Sequence, residues 1–349
     1  MIRLAADGRT VSFLDDPAML NLDPPDHTRL HKLATHGFLH KHILSLEPRV
    51  TEIVDRCLES YDTQSGTFNI VTQIAKPLPA IVIAELLGLP ESDLTRFQKL
   101  SIDLLGLTAL GDDEQMERGA KANEDLISYF SGIIDDKRRN PDQALISRLI
   151  AAEEEGDRLS AEEVYSTAIL LLIAGHETTT RLISNGIYTL LQHPEQLALL
   201  RDNPDLAENA IEEMLRFEPP IQFVVRFARE DLTFHGKKIK KNQLVAPIIL
   251  SANRDPAAND NPDVFDIERD NIKHVSFGYG IHLCLGMTLA RLEGRIAINK
   301  LLQRFPDMTL ADQPLEWSSL MLIRGLENLI IETNDSNNKS DLQSETDAA

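Results

Sequence analysis

A chain of 349 residues with a net charge of −20 can bury a large core, in one big domain or two ordinary ones. That charge argues against nucleic acid and anionic membrane surfaces as partners, because both require clustered Lys and Arg. Apolar residues make up 42% and charged residues 26%, a soluble globular profile. The longest purely apolar run in a helical pattern, Ala168 to Ala174, is far too short to cross a bilayer.

No basic-then-apolar leader opens the chain. Two cysteines alone, Cys57 and Cys284, argue against a disulfide framework and fit a reducing cytoplasm. From about Arg29 to Leu206 the pattern is almost entirely helical, with apolar residues at three- and four-residue steps, as in Asn123 to Lys137. Gly88-Leu89-Pro90, Gly111-Asp112-Asp113, Asn140-Pro141 and Asn203-Pro204 supply the turns between helices. Cys57 falls at apolar helical spacing and reads as a core cysteine. One long apolar helix is predicted over roughly Ala161 to Leu191.

After Pro219-Pro220 the residues become β-branched, and short strands are predicted over 221–226, 232–235 and 243–250. Lys237, Lys238, Lys240 and Lys241 read as a solvated turn between them. Helix returns after Leu283 and stops near Phe305, before Pro306. Residues 333–349 are polar and acidic, and a disordered tail is expected there. No Pro/Gly/Ser-rich linker divides the rest. The prediction is one domain over 1–332, mainly α with a small β region.

The strongest chemical signal is Phe277-Gly278-Tyr279-Gly280-Ile281-His282-Leu283-Cys284-Leu285-Gly286. A cysteine at the start of a helix meets backbone N–H groups and the positive end of the dipole, which stabilise anionic sulfur. Gly280 and Gly286 allow the backbone a tight turn. Phe277 would shield the sulfur from water.

The spacing of Phe277, Gly280, Cys284 and Gly286 resembles the haem loop of the cytochromes P450. The resemblance runs over about residues 20 to 330 and implies the fold of that family, with haem b as cofactor. It makes Cys284 the axial ligand of the iron, with Gly278 and Gly286 beside the haem. Glu213-Met214-Leu215-Arg216 is similar to the family's Glu-x-x-Arg; positions three apart share a helix face. With Arg269 the pair would form a triad, Glu213, Arg216 and Arg269, that locks the cysteine loop to the core. This role is structural.

Ala174-Gly175-His176-Glu177-Thr178-Thr179 resembles the segment that crosses the distal face of the haem. By that likeness Ala174 and Gly175 flank the cofactor and Gly175 opens a groove for dioxygen. Thr178 contributes a hydroxyl and Glu177 a proton. Polar residues in so apolar a run are costly unless paired. His176 reads equally as a structural histidine. His282, Arg226 and the segment Asp26-His27-Thr28-Arg29-Leu30-His31 match positions that meet the haem propionates. His31 stands where the family usually has Arg, so that contact is weakened or made pH-dependent.

The resemblance implies a bacterial-type soluble monooxygenase that inserts one atom of O2 into an apolar small molecule. No flavin or iron–sulfur motif is present in the sequence, so electrons would come from a ferredoxin- or flavodoxin-type donor. Lys32, Arg291 and Arg295 could dock such an acidic carrier or be ordinary surface charges. Segments 171–174, 221–225 and 319–323 are expected to face the substrate. Only about 20 residues precede Asp23-Pro24-Pro25-Asp26, fewer than in the family, so part of the N-terminal strands and helices is expected to be missing. The competing readings are a haem-binding protein without oxygenase activity, as a sensor or degenerate copy, and a peroxide-using variant.

Overall fold

The structure, a computed structural model, describes residues 18–35, 38–61, 65–105, 113–154 and 157–333. Helices α1 (Asp26–Thr35), α2 (His40–Leu44) and α3 (Glu47–Glu59) come first. Strand β1 (Thr67–Asn69) and a π-helical turn, Val71–Ala75, lead into α4 (Pro77–Leu87). Leu78, Ile81, Val82, Ile83, Ala84 and Leu87 of α4 are all buried, as expected of a helix that is apolar on every side. Next come α5 (Leu94–Leu105), α6 (Asp113–Arg139), α7 (Leu145–Ala151) and the hairpin β2 (Glu153–Glu154) and β3 (Asp157–Arg158).

Helix α8 (Ala161–Gln192) is the axis of the core and packs against α4, α6 and α12 (Met287–Arg304). Its start is fixed by a capping box: Glu163 N–H donates to Ser160 Oγ at 3.2 Å, and Ser160 N–H donates to Glu163 Oε2 at 2.8 Å. Between α8 and α12 lie α9 (Pro194–Asp202), α10 (Ala207–Phe217) and α11 (Ile249–Asn253). The same stretch carries β4 (Arg226–Phe227), β5 (Leu232–Phe234), β6 (Lys237–Ile239) and β7 (Leu244–Val245). The chain then adds β8 (Thr309–Leu310) and β9 (Ile330–Glu332). A three-stranded antiparallel sheet, β1-β9-β8, joins the two ends of the described chain, with Phe68 opposite Ile331.

The long helices match their predicted positions within a few residues. The strands are shorter than predicted: β5 fills most of 232–235, whereas 221–226 and 243–250 are strand only in part. Of 221–226 only Arg226 enters a strand, while Ile221 makes an isolated bridge to Ile323. Of 243–250 only Leu244 and Val245 do; Pro247 offers no N–H to a ladder, and Ile249 begins a helix. Strand β1 lies inside the stretch read as helical. The lysine cluster sits exposed on and after β6, with Lys240 paired to Asp231 at 2.8 Å. Cys57 is buried on α3, and burial pushes its thiol up to about 11. Thr333 is tied in, its N–H donating to the Gly66 carbonyl at 2.9 Å. The rest of the expected tail, 334–349, and residues 1–17 lie outside the described residues. No described helix is long and apolar enough to cross a membrane.

Candidate active site

The Cys284 loop closes on its own backbone. Cys284 N–H donates to the Phe277 carbonyl at 2.8 Å, and Gly278 N–H donates to Val275 at 2.9 Å. Gly278 and Gly280 take φ of +75° and +77°, a left-handed conformation that glycine adopts without a Cβ penalty. Helix α12 starts at Met287 with Gly286 as its N-cap, slightly later than the sequence suggests. The Gly286 N–H donates to the Cys284 sulfur; burial pushes the thiol up, opposed by that N–H and by the charge of Arg291. A thiol held above its usual range in this way gives up its proton when a metal replaces it. Phe277 is half-buried, with the Arg291 guanidinium 4.6 Å from its ring centre.

Helix α10 braces this loop from behind. Arg216 donates to both oxygens of Glu213 at 2.7 Å, and both side chains are fully buried. Glu213 Oε1 also accepts from Asp266 N–H at 3.0 Å and from Arg269 Nε at 3.2 Å. Arg216 donates further to the carbonyls of Pro262 and Val264, and Arg269 to Asn261 and Val264. The three residues are therefore one network that pins the segment leading to the cysteine.

Sequence reasoning missed the second half of this brace. Asn253 accepts from Val275 N–H at 2.9 Å, and its amide donates to Ser276 Oγ at 2.8 Å. Glu212 accepts from Arg291 at 2.6 and 2.8 Å and lies 3.1 Å from His274 Nε2. It is half-buried, but the contacts of Arg291 and His274 bring its carboxyl down to about 2. The one available signal was that Glu212 directly precedes the Glu213 motif.

Across the core, α8 presents Ala174 as an exposed residue, with Gly175 and Thr178 half-buried, in a helix otherwise buried for several turns. Thr178 Oγ1 donates to the Ala174 carbonyl at 2.8 Å. Gly175 does not open a groove on its Cα side: a Cβ there would lie 2.9 Å from Ile83 Cγ1. Its missing side chain instead lets α4 approach α8, and the open position is Ala174. Glu177 is 3% exposed; its Oε1 lies 3.4 Å from His176 Nε2 and its Oε2 3.6 Å from Arg181 Nη2. Lys76, Asp103, Arg118, Glu177, Arg181 and Glu327 line a cavity of about 210 Å³.

A third group is aromatic and basic. The His27 ring is 4.3 Å from that of His282 and 5.3 Å from that of His31. Burial, then the neighbouring His282 and His31, holds His27 below the usual histidine range. His27 Nδ1 and His31 Nε2 are buried without a hydrogen-bond partner. Arg226 is exposed at the head of β4, and its charge acts on His282. Helix α1, which carries the first two rings, is tied to the start of α8 by the Arg29–Glu163 ion pair.

The segments expected to face the substrate come together in part. Gln222 N–H donates to the Leu322 carbonyl at 3.0 Å, and Phe223 bridges Ile248. Leu171, Leu172 and Ile173 are buried in the core, so only Ala174 of that run is open. Of the expected docking cations, Lys32 is exposed; Arg291 pairs with Glu212, and Arg295 with Glu47 at 2.9 Å.

Residues 13–316 match the family model for cytochrome P450. A cytochrome P450 of Bacillus subtilis is 43% identical over 317 residues, 90% of this chain and 76% of the relative. This chain belongs to the cytochrome P450 family. The vitamin D(3) 25-hydroxylase of Pseudonocardia autotrophica is also 43% identical, over 90% of this chain and 77% of its own length. Among solved structures, P450BioI in complex with a hexadec-9Z-enoic acid-ligated acyl carrier protein superposes with a TM-score of 0.88 and 40% identity. That match covers 92% of this chain and 83% of the other.

As a cytochrome P450 the protein is a haem-thiolate monooxygenase, and haem b is its cofactor. The residues present fit that group. The sulfur of Cys284 faces a helix N-terminus, and two buried imidazole nitrogens, on His27 and His31, lack partners that a propionate would supply.

Proposed function

We propose that Cys284 is the axial ligand of the haem iron and that the cofactor lies between the Cys284 loop and the Ala174–Thr178 stretch of α8. The observation that carries this is the Cys284 loop: closed by its own backbone, donated to by Gly286 N–H, and braced by the buried Glu213–Arg216 pair. His27, His31, His282 and Arg226 would hold the propionates, and Phe277, Gly278, Gly286, Ala174 and Gly175 would flank the ring. When bound, the haem supplies an iron at which dioxygen is activated. The protein's own part is to keep the sulfur anionic, exclude water and move protons. Glu177 holds the proton at its carboxyl, and the Thr178 hydroxyl, parked on the Ala174 carbonyl, is placed to orient it toward the oxygen site.

The substrate proposed is an apolar small molecule. Ile221, Phe223, Ile248 and Ile323, joined by the two bridges, support this reading. So do the names of relatives: a vitamin D(3) 25-hydroxylase, and a Bacillus megaterium cytochrome P450, CYP109E1, in complex with testosterone. Electrons would come from a ferredoxin- or flavodoxin-type carrier in the cytoplasm. The decisive experiment is Cys284→Ser, read in the reduced carbon monoxide spectrum. An alcohol cannot replace the soft anionic sulfur, so the thiolate-specific Soret band should vanish. If the variant keeps that band, Cys284 is not the ligand.

A further inference from the structure

His176 belongs to no part of the site as described so far, yet its two nitrogens are held in different ways. Nδ1 lies 2.8 Å from the Leu172 carbonyl, one turn back on α8. A carbonyl can only accept, so Nδ1 carries a hydrogen. In a neutral ring the other nitrogen, Nε2, is then a bare lone pair. It lies 3.4 Å from Glu177 Oε1, with both side chains 3–4% exposed. A lone pair facing an ionised carboxylate between two such buried side chains is repulsive. The contact is attractive when the ring carries a second proton or when the carboxyl does. Either state contains one proton between the two residues.

We propose that His176 is a further positioning residue of the reaction: with Glu177 it stores one proton inside α8 and returns it to the Glu177 carboxyl for delivery. This rests on the reading of Glu177 as the proton donor. The two carboxylate oxygens divide the work. Oε1 faces His176, while Oε2 lies 3.6 Å from Arg181 Nη2. Arg181 also reaches Glu327 at 3.2 Å, and Glu327 lies 3.5 Å from Lys76, all on the wall of the 210 Å³ cavity with Asp103 and Arg118. Burial alone would push Glu177 up, but contact with His176, then the charges of Arg181 and Lys76, hold it below the usual carboxylate range.

The transfer balances without any redox change. The Nε2 proton passes to Glu177 Oε1, and the ring becomes neutral while Nδ1 stays on Leu172. The carboxyl then gives its proton to the oxygen side of α8 and becomes anionic again. A neutral ring now faces a carboxylate, the repulsive arrangement, which drives uptake of one proton from water in the cavity. Arg181, held by the Leu326 carbonyl at 2.6 Å, stands 3.6 Å from the carboxylate while the proton is stored.

The test has a spectroscopic arm and a kinetic arm. In the reduced carbon monoxide form of the holoenzyme, nitrogen-15 histidine spectra identify His176 by the signal lost in His176→Gln. Infrared spectra identify the Glu177 carboxyl by difference from Glu177→Gln. Between about pH 6 and about pH 8, where an ordinary histidine loses its charge, either the doubly protonated ring or the protonated carboxyl should be present. A neutral ring beside an ionised carboxyl overturns the proposal. In turnover, His176→Gln should still load haem but divert about tenfold more reducing equivalents to hydrogen peroxide, increasingly so as pH rises. His176→Asn serves the same purpose should the glutamine variant fail to fold. Wild-type coupling and pH profile in a folded variant also overturn it. The spectroscopic arm needs no turnover, so it reports on the pair even where the assignment of Cys284 or Glu177 fails.

Discussion

Glu293 and Glu213 are the same side chain at the same depth, resolved in opposite ways. Glu213 is fully buried and accepts hydrogen bonds from Arg216, Arg269 and the Asp266 N–H. Glu293, on α12, is 1% exposed and neither oxygen has a partner. Burial alone pushes its carboxyl well above the usual range. Because the folded value is raised above the unfolded one near 4.5, Glu293 costs least below that pH. Its cost then grows as pH rises, by up to about 1.4 kcal/mol per pH unit until the folded value is reached. Replacing it with Met, which has similar length and no polar atoms, should stabilise the protein by about 1–3 kcal/mol even near pH 5. The gain in melting temperature should be larger near pH 8 than near pH 5; a gap that is constant or shrinks with pH contradicts the assignment. The contrast also shows where sequence reading stops. Glu213 was legible because Arg216 stands three residues on, whereas Glu293, in Leu292-Glu293-Gly294-Arg295, looks like any helix-surface charge.

At the scale of elements, the close approach of α4 to α8 depends on Gly175. A Cβ at that position would meet Ile83 Cγ1 at 2.9 Å and Cδ1 at 3.1 Å, both part of a buried, branched side chain with little room to move. Gly175→Ala should therefore lower stability by about 1–2 kcal/mol, an overpacking cost reduced by the helical preference for alanine. Ile83→Val, which removes Cδ1, should recover part of that loss in the double variant. Additive losses in a thermal double-mutant cycle would show that the two residues do not share the contact. Helices of this kind were legible because a three- and four-residue apolar period persists over many turns. The strands were legible only in part: β5 fills most of the predicted 232–235, but β4 and β7 are two residues long and β1 three, too few for an alternating pattern to fix their bounds. The site follows the same division. The Cys284 loop and the Glu213–Arg216 spacing are local and could be read, whereas the His27–His282 pair joins positions far apart and needed the fold to bring the rings to 4.3 Å.

The molecule as a whole carries a net charge of −20, and this bears on how an electron carrier can reach it. Arg291 and Arg295, the two cations on α12 nearest the cysteine in sequence, are paired with Glu212 and Glu47, and Lys32 is the most exposed of the three expected docking cations. An acidic ferredoxin therefore meets long-range repulsion from the whole protein and weak attraction from the local face. Salt separates the two effects, because the screening length falls from about 30 Å at 0.01 M to about 8 Å at 0.15 M. At low ionic strength the global repulsion acts across the full approach; near physiological salt only charges around the contact count. The rate of first-electron transfer from an acidic ferredoxin, measured by stopped flow, should rise several-fold as salt increases over that range before levelling off. Lys32→Glu should lower the rate at the higher salt, where the local face governs. A rate that falls steadily with salt from the lowest concentration would mean that local attraction outweighs the net charge at every distance. The docking face would then have to carry cations beyond Lys32, Arg291 and Arg295.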